Sequence, residues 1–298
     1  MAEDSDGEER LSLEDEFHWL LKEEVHPILL QLQQLLKENT RRFNIPISVG
    51  LSKLIKPETF VLSCSNGADY AKGVVTLVAD SICRADLSLR MHRNANQVAK
   101  TSIREDIPWK LQQVQDAGNH LYSALNAVSR IDVDYEFQTG TEVTKLMDEV
   151  MNQLKKGRHQ LLNPIHPSLH DLYFSKCSKS LSPPLPQEIL IDFYVQGNKL
   201  NMSTYFLHLA HSPKTPSKHS APPTDKNLNV LELGPMKYEL TGQYTVHCAV
   251  PWLGEALTLF TVALQTCQEL KNKIYTSVMF YPAFIQHLFQ KYKHGFNH

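Results

Sequence analysis

Several features that mark enzymes and membrane proteins are missing from this sequence. It contains no GxSxG nucleophile elbow and neither of the phosphate-binding loops GxGxxG and GxxxxGK, and only 12 of its 298 residues are glycine. No apolar run approaches the roughly 20 residues that a transmembrane helix needs. We therefore predict that the protein is not an enzyme, that it binds no cofactor, and that it does not span a membrane.

Metal and disulfide chemistry are also poorly represented. Two histidine pairs, His166 with His170 and His208 with His211, have spacings found in metal sites, but Pro167 keeps the first pair out of helical geometry. We therefore predict no metal site.

The start of the chain lacks the features of a signal peptide, so we expect an intracellular, reducing compartment. The cysteines are odd in number, far apart and without a CxxC pair: Cys64, Cys83, Cys177, Cys248 and Cys267.

Charge is nearly balanced, with a formal net charge of -2, so no strong field attracts nucleic acid or anionic lipid. The exception is the start, where residues 1–16 hold many acidic side chains against Arg10 alone. We expect a solvated acidic tail at residues 1–12, with contact to a basic partner as the alternative. The acidic start also argues against a DNA-binding leucine zipper, because such a zipper needs a basic segment before its heptads.

Four segments show the three-and-four spacing of apolar residues that is typical of amphipathic helices. The first covers residues 13–37. The second opens at Asp106, whose carboxylate is predicted to cap the helix, with Pro108 in the first turn. The third opens with the capping-box pattern at Thr139, and the fourth opens at Pro251. Each apolar stripe needs a partner. We therefore predict an antiparallel four-helix bundle lobe from residues 13–43, 106–165 and 251–281.

Short alternating segments bounded by turn residues predict β-strands between the helices. The clearest is a hairpin of residues 188–196 and 199–209, whose two-residue turn has Gly197 first. Joining the strand groups at 57–92 and 188–250 buries both better than leaving two small sheets. We therefore expect an α+β fold with an antiparallel β-sheet lobe, and both lobes are discontinuous in sequence.

Three stretches lie outside these lobes or interrupt them. Residues 175–187 and 210–227 are rich in proline and serine, and the second stretch is predicted to be a disordered loop within the β lobe. In that loop Ser212 and Thr215 each precede a proline, which fits proline-directed phosphorylation but is also common in linkers. Residues 282–298 are expected to be a C-terminal extension.

A partner-binding surface is predicted around the start of the second helix. Tryptophan is enriched at interface hot spots, and Trp109 is followed by a polar stretch with little charge. The residues proposed to bind a partner are Trp109, Lys110, Gln112 and Gln113. Two alternatives stay open, since a tryptophan near the end of a bundle usually caps its core and a glutamine-rich face is usually solvated.

Several long blocks of the chain resemble one family. They are EFHWLLKEEVHPILLQLQQLLKE (16–38), WKLQQVQDAGNHL (109–121), TGTEVTKLMDEVMNQL (139–154) and VPWLGEALTLFTVALQTCQELKNKI (250–274). These blocks are similar to the Rogdi family of leucine-zipper-named proteins, and the resemblance covers about residues 11–281. It implies a four-helix lobe with a β lobe, and it supplies no catalytic or ligand residues.

The resemblance also implies a role. Rogdi is similar to the small subunit of the RAVE complex, which regulates assembly of the vacuolar-type proton ATPase. Expected partners are a rabconnectin or DMX-like WD40 scaffold and the peripheral sector of that ATPase, with no nucleic acid and only indirect membrane contact; a monomer is favoured. The expected location is cytoplasmic, peripheral to vesicle or endolysosomal membranes (in neurons also synaptic vesicles), with a nuclear pool possible. The alternative is a nuclear or signalling adaptor that binds unrelated partners through its helices.

Overall fold

The chain separates into two compact units, each assembled from separated stretches of sequence. A computed structural model describes residues 15–43, 56–64, 70–91, 97–210, 230–234 and 236–295, with the backbone alone for residues 176 and 278–295. The helical unit comprises Met1–Arg41, Ala117–His159 and Ala256–His298, and the β-rich unit comprises Arg42–Asp116 and Gln160–Glu255. Among the described residues, no helix has both the length and the apolarity needed to cross a membrane.

The helical unit begins with α1 (Val25–Thr40), which follows a π-helical turn at Leu20–Glu24. Leucines spaced by three and four residues form its buried stripe, so the stripe predicted from the sequence is confirmed. The other α-helices of the described chain are α2 (Gln112–Ser129), α3 (Gly140–Leu162), α4 (Leu169–Tyr173) and α5 (Pro251–Gly295). Their contacts place α1 antiparallel to α5: Asn39 Nδ2 donates to the carbonyl oxygen of Ala256 at 3.3 Å, and Lys273 pairs with Glu24 at 2.5 Å.

Close packing between α3 and α5 depends on a glycine. A Cβ atom added at Gly157 would lie 3.0 Å from the ring of Phe260 and 3.1 Å from the carbonyl oxygen of Ala117. Lys271 pairs with Asp148 farther along the same two helices. These contacts tie helices of the unit together, whereas the predicted four-helix bundle stays a prediction, because the described chain has five α-helices.

The β-rich unit contains two antiparallel sheets. The strands of the first are β1 (Glu58–Leu62), β2 (Ala71–Val78), β3 (Ser81–Arg90), β4 (Val98–Ile103), β5 (Trp109–Lys110) and β6 (Leu181–Ser182). Their order is β1-β2-β3-β4-β6, and β5 pairs with β3. The strands of the second sheet are β7 (Ile189–Gln196), β8 (Lys199–Leu209), β9 (Val230–Leu233) and β10 (Met236–Ala249), in the order β7-β8-β10-β9. The α+β class with antiparallel sheets is therefore confirmed.

The β7–β8 hairpin has the predicted register. Gln196 pairs with Lys199, and the turn between them begins at Gly197, whose φ of +65° is a backbone conformation that side chains with a Cβ rarely adopt. Leu207 and Tyr205 of this hairpin pack with α4 and β10. That core cluster consists of Leu169, Leu172, Tyr205, Leu207, Leu231 and Tyr238.

A β-bridge joins the two sheets. Ser63 and His247 exchange backbone hydrogen bonds of 3.0 Å in both directions, just beyond the end of β1. Beside them the rings of Tyr70 and Tyr244 stack at 4.2 Å. The bridge links the early and late strand groups within the β-rich unit, but they remain two sheets, so the expectation that they join into one sheet is wrong.

The second predicted helix begins later than its sequence signal indicated. The carboxylate of Asp106 accepts hydrogen bonds from Arg104 rather than capping a helix. Trp109 and Lys110 form the short strand β5, because their backbone pairs with Ile82 and Ser81 of β3. The helix starts at Gln112, so a pairing between distant residues overrides the local capping pattern.

Strands β4, β5 and β6 were absent from the sequence prediction, and some predicted segments lie outside the described residues. Strand β4 was not predicted, and part of the proposed linker at 175–187 forms the 3-10 helix Lys176–Ser180 and strand β6. Residues 1–12 and, apart from Ala210, the predicted loop at 210–227 lie outside the described residues. Helix α5 continues to Gly295, through most of the predicted extension.

Candidate protein-interaction surface

Trp109, the centre of the predicted partner surface, is a core residue of the β-rich unit. Its side chain is only 4% exposed, and its ring meets the ring of Phe193 edge to face at a centroid distance of 5.2 Å. The pairing of β5 with β3 holds the residue in this position. A partner could touch the ring only if β5 left the sheet, and the partner-binding role of Trp109 stays a prediction.

Lys110 is tied to a buried carboxylate. Its ammonium group lies 2.6 Å from Oδ2 of Asp80, and the hydroxyl of Ser81 donates to the other carboxylate oxygen at 3.0 Å. Asp80 belongs to the β2–β3 turn, where Ala79 has a φ of +51°, and its carbonyl oxygen accepts from the N–H of Leu111. Lys110 therefore anchors the segment before α2, while its stem remains partly exposed.

Gln113 covers part of the outer edge of the second sheet, at strand β7. Its side-chain amide donates to the carbonyl oxygen of Val195 at 3.3 Å and accepts from the N–H of Val195 at 2.9 Å, so it satisfies both backbone groups of one residue of β7. It also donates to the carbonyl oxygen of Gln160. Gln112 is exposed and reaches only Asp116, one helical turn away, so of the two glutamines it is the one that a partner can reach.

An apolar groove in the helical unit was not predicted from the sequence. It lies between α1 and the segment that connects α2 to α3, and its volume is about 70 Å³. Leu30 and Val133, on its two sides, are 47% and 68% exposed. The residues that line it are His26, Leu29, Leu30, Gln33, Val128, Ile131 and Val133.

The connecting segment at this groove is fixed to α1. Nε2 of His26 donates to the carbonyl oxygen of Tyr135 at 2.5 Å, and the His26 ring lies 5.6 Å from the ring of Phe137, which is buried. Nε2 of Gln33 donates to the hydroxyl of Ser129 at 3.0 Å. The groove is therefore a preformed feature. The alternation of acidic and apolar residues at 132–136 is the one sequence signal that could have drawn attention to it.

The open face of the first sheet is a second exposed surface. Val61, Val74 and Asp86 lie side by side on neighbouring strands, and the two valines are 68% and 41% exposed. Asp86 accepts from the hydroxyl of Ser102 at 2.8 Å and lies 3.9 Å from the guanidinium of Arg84. Because both signs of charge occur along this face, it shows no preference for a partner of one sign.

The buried thiols are poorly suited to nucleophilic chemistry. Burial raises the pKa of Cys248 to about 11 and the pKa of Cys267 to about 12. Both side chains are therefore protonated thiols at neutral pH, and the thiolate is the reactive form.

The two histidines of the first predicted metal pair, His166 and His170, each pack against an aromatic ring. His166 lies against the ring of Tyr194 at 4.7 Å, and His170 lies against Phe174 at the same distance. Within the described ranges, no group of three or more histidine, cysteine, aspartate or glutamate side chains is arranged to hold a metal ion. His211, of the second predicted pair, lies outside those residues.

Asp192 is a largely buried carboxylate in the second sheet. It pairs in register with Ser203 of β8, whose hydroxyl lies 2.8 Å from the hydroxyl of Thr245 on β10. Burial raises the pKa of Asp192 to about 6 from its ordinary value of 3.8, although a hydrogen bond from the N–H of Phe193 lowers it in part. The pKa of Tyr205 is also raised, first by the burial of Tyr205 itself and then by the charge of Asp192.

Comparison with known proteins gives matches along most of the chain. A family model described as "Rogdi leucine zipper containing protein" matches residues 16–239. The chain is 42% identical over 270 residues to "Protein rogdi homolog" of Danio rerio, and this match covers 89% of this chain and 93% of that protein. It is 43% identical to the Homo sapiens protein of the same name over 270 residues, with 89% and 92% covered. It is 36% identical to "Protein rogdi" of Drosophila melanogaster over 274 residues, with 92% and 91% covered.

Proposed function

The chain belongs to the Rogdi family, and from this membership we propose that it is a non-catalytic adaptor subunit of a RAVE-like complex. In this role it regulates assembly of the vacuolar-type proton ATPase and thereby the acidification of organelles. The observation that carries the proposal is the identity above 40% to Rogdi proteins along nearly their whole length. That similarity supports assigning to this chain the adaptor role that its resemblance to the Rogdi family implies.

The described structure is compatible with an adaptor. An adaptor needs accessible surfaces on a stable scaffold, and the groove beside α1 and the open face of the first sheet are such surfaces. Burial keeps the thiols of Cys248 and Cys267 protonated at neutral pH, and no metal-binding cluster occurs within the described ranges. These observations favour binding over catalysis.

The proposed partners are a rabconnectin or DMX-like WD40 scaffold and the peripheral sector of the ATPase. Through them the protein is held at vesicle or endolysosomal membranes from the cytoplasmic side, and its own contact with lipid is indirect. The helices, which we predict to form a four-helix bundle, provide a rigid support for these contacts.

Depletion of the protein tests the role in cells. The expected result is a higher lumenal pH in acidic organelles, measured with a ratiometric dye, together with less peripheral ATPase sector in the membrane fraction. Re-expression of the wild-type chain should restore both. If neither quantity changes on depletion, the assembly role is wrong.

Affinity purification tests the partners directly. With the full chain as bait, the WD40 scaffold and ATPase subunits should be enriched over a misfolded control bait, Phe260→Asp, in which a carboxylate replaces a fully buried ring. Recovery of nuclear or signalling proteins in their place would support the alternative adaptor role, in which the helices bind unrelated partners.

A further inference from the structure

The groove beside α1 has the features of a docking site for another protein. Its floor contains Leu29 and Val128, which are each 4% exposed, while Leu30 and Val133 stand exposed on its two sides. With about 70 Å³, the groove is far smaller than the roughly 300–1,000 Å³ of a small-molecule pocket, and it matches one or two aliphatic side chains. This size favours a partner that inserts single side chains from a larger surface.

One side of the groove carries negative charge. In the segment from 132 to 136, acidic residues alternate with the exposed apolar residues, and the acidic members Asp132, Asp134 and Glu136 are all exposed. The preceding basic residue, Arg130, is paired with Glu149 at 2.6 Å. Among the described contacts, the side chains of Asp134 and Glu136 have no hydrogen bond or ion pair, so their charge is available to a partner.

The acidic side is held in place before any partner arrives. Oδ1 of Asp132 accepts from the N–H of Asp134 at 3.3 Å, which fixes the turn of the segment. His26 holds the carbonyl oxygen of Tyr135, and the rings of Tyr135 and Phe137 meet edge to face at 5.0 Å. Binding here therefore costs little ordering of the protein, which favours affinity.

We propose that this groove, lined by Leu29, Leu30, Val128 and Val133 and flanked by Asp132, Asp134 and Glu136, binds a helical segment of a partner protein that carries aliphatic residues on one face and lysine or arginine beside them. An amphipathic helix laid in a groove inserts its apolar side chains at helical spacing, and opposite charges at the edge set its orientation and its rate of association. Nucleic acid and anionic lipid are disfavoured occupants, because the acidic side chains repel phosphate. The inference rests on the adaptor function proposed above and adds to it the surface and the chemistry of the partner.

A designed peptide provides the probe for this groove. The peptide has 15 residues, with leucine at helical spacing on one face and lysine on both flanks, and a fluorophore at one end. Titrated with the full chain, it should show saturable binding by fluorescence anisotropy. The double variant Leu30→Ser with Val133→Ser should weaken binding at least tenfold, and the matched control Ile165→Ser, a residue 82% exposed in the β-rich unit, should leave it unchanged.

A second variant tests the charges. Replacing Asp132, Asp134 and Glu136 by their amides should weaken binding about tenfold at low salt and remove most of its salt dependence, since surface charge pairs are screened by salt. A peptide with glutamate in place of lysine should not bind the wild-type chain. All substituted positions are exposed, and thermal unfolding within a few degrees of wild type confirms that the variants fold.

The outcomes separate this inference from the adaptor function. The groove assignment is overturned if the wild type does not bind the lysine peptide. It is also overturned if the groove variants bind the peptide as tightly as the wild type and Ile165→Ser do. Affinity purification of the scaffold with the wild-type chain judges the adaptor function on its own. When the scaffold is recovered and the groove double variant recovers it equally, the adaptor function stands and the groove assignment fails.

Discussion

Replacing Asp192 with asparagine should stabilise the protein in a manner that depends on pH. Burial of the Asp192 carboxylate raises its pKa from 3.8 to about 6, so the native state holds this proton more tightly than the unfolded chain does. Between these two pKa values the native state binds more protons, and stability contributed by the group falls as pH rises. The penalty for the buried charge is therefore absent below about pH 4 and complete above about pH 6.

The size of the effect follows from the shift in pKa. Two pKa units correspond to about 3 kcal/mol at most, since one unit is about 1.4 kcal/mol. Asp192 is not fully buried, and water near the carboxylate reduces the penalty, so about 1–2 kcal/mol is the expected value. Asparagine has nearly the same shape and no charge, and the native site would no longer have to accommodate a carboxylate.

Urea unfolding of wild type and Asp192→Asn, measured side by side from pH 4 to pH 8, gives the difference in free energy of unfolding between the two proteins. Tryptophan fluorescence reports on the β-rich unit, which contains Asp192, because Trp109 packs against Phe193, the next residue along the chain. The difference in free energy of unfolding should grow between pH 4 and pH 6 and then level off, because other titrating groups contribute equally to both proteins and cancel. A difference that stays constant across this range, or that shrinks as pH rises, would refute the reasoning.

Two further predictions concern the β-rich unit, and each has a matched control. Gln113→Ala should lower the free energy of unfolding by about 1–2 kcal/mol, because it leaves both backbone groups of Val195 without their partner, whereas Gln112→Ala should change it by less than about 0.5 kcal/mol. Gly197→Ala should cost about 1 kcal/mol, since the φ of Gly197 is +65°. Gly254→Ala should be neutral or stabilise by up to about 1 kcal/mol, because Gly254 lies in a helix and the added Cβ would lie 3.5 Å from the side chain of Asn198, an ordinary contact distance. Urea unfolding measures all four variants, and equal effects within either pair would contradict the corresponding account.

Elements defined by local pattern could be predicted from the sequence. The leucine stripe of α1 is a spacing rule that holds wherever the helix packs, and the turn at Gly197 needs a positive φ that glycine supplies locally. Both were found in the places that the sequence indicated. The α+β class followed from counting such elements.

Elements defined by distant partners could not be predicted in the same way. The capping signal at Asp106 was a real local pattern, but Arg104 engages the carboxylate and Ile82 pairs with Trp109, so a strand replaces the first turn of the predicted helix. The groove depends on His26 reaching a carbonyl 109 residues away, and no spacing rule in the sequence encodes that contact. Contacts between residues far apart in sequence therefore decide the burial of Trp109 and the shape of the groove.

The placement of Trp109 and of the groove changes how binding experiments on this chain should be interpreted. Trp109 is buried, and Lys110 and Gln113 bind structural partners, so substitutions there act first on the stability of the β-rich unit. Loss of partner binding by such a variant is explained as well by partial unfolding as by loss of an interface. Leu30 and Val133 are exposed, and their replacement by serine removes apolar contact area without opening a core. A binding defect at the groove with an unchanged unfolding curve is therefore evidence for an interface, whereas a defect at Trp109 becomes such evidence only after its stability has been measured.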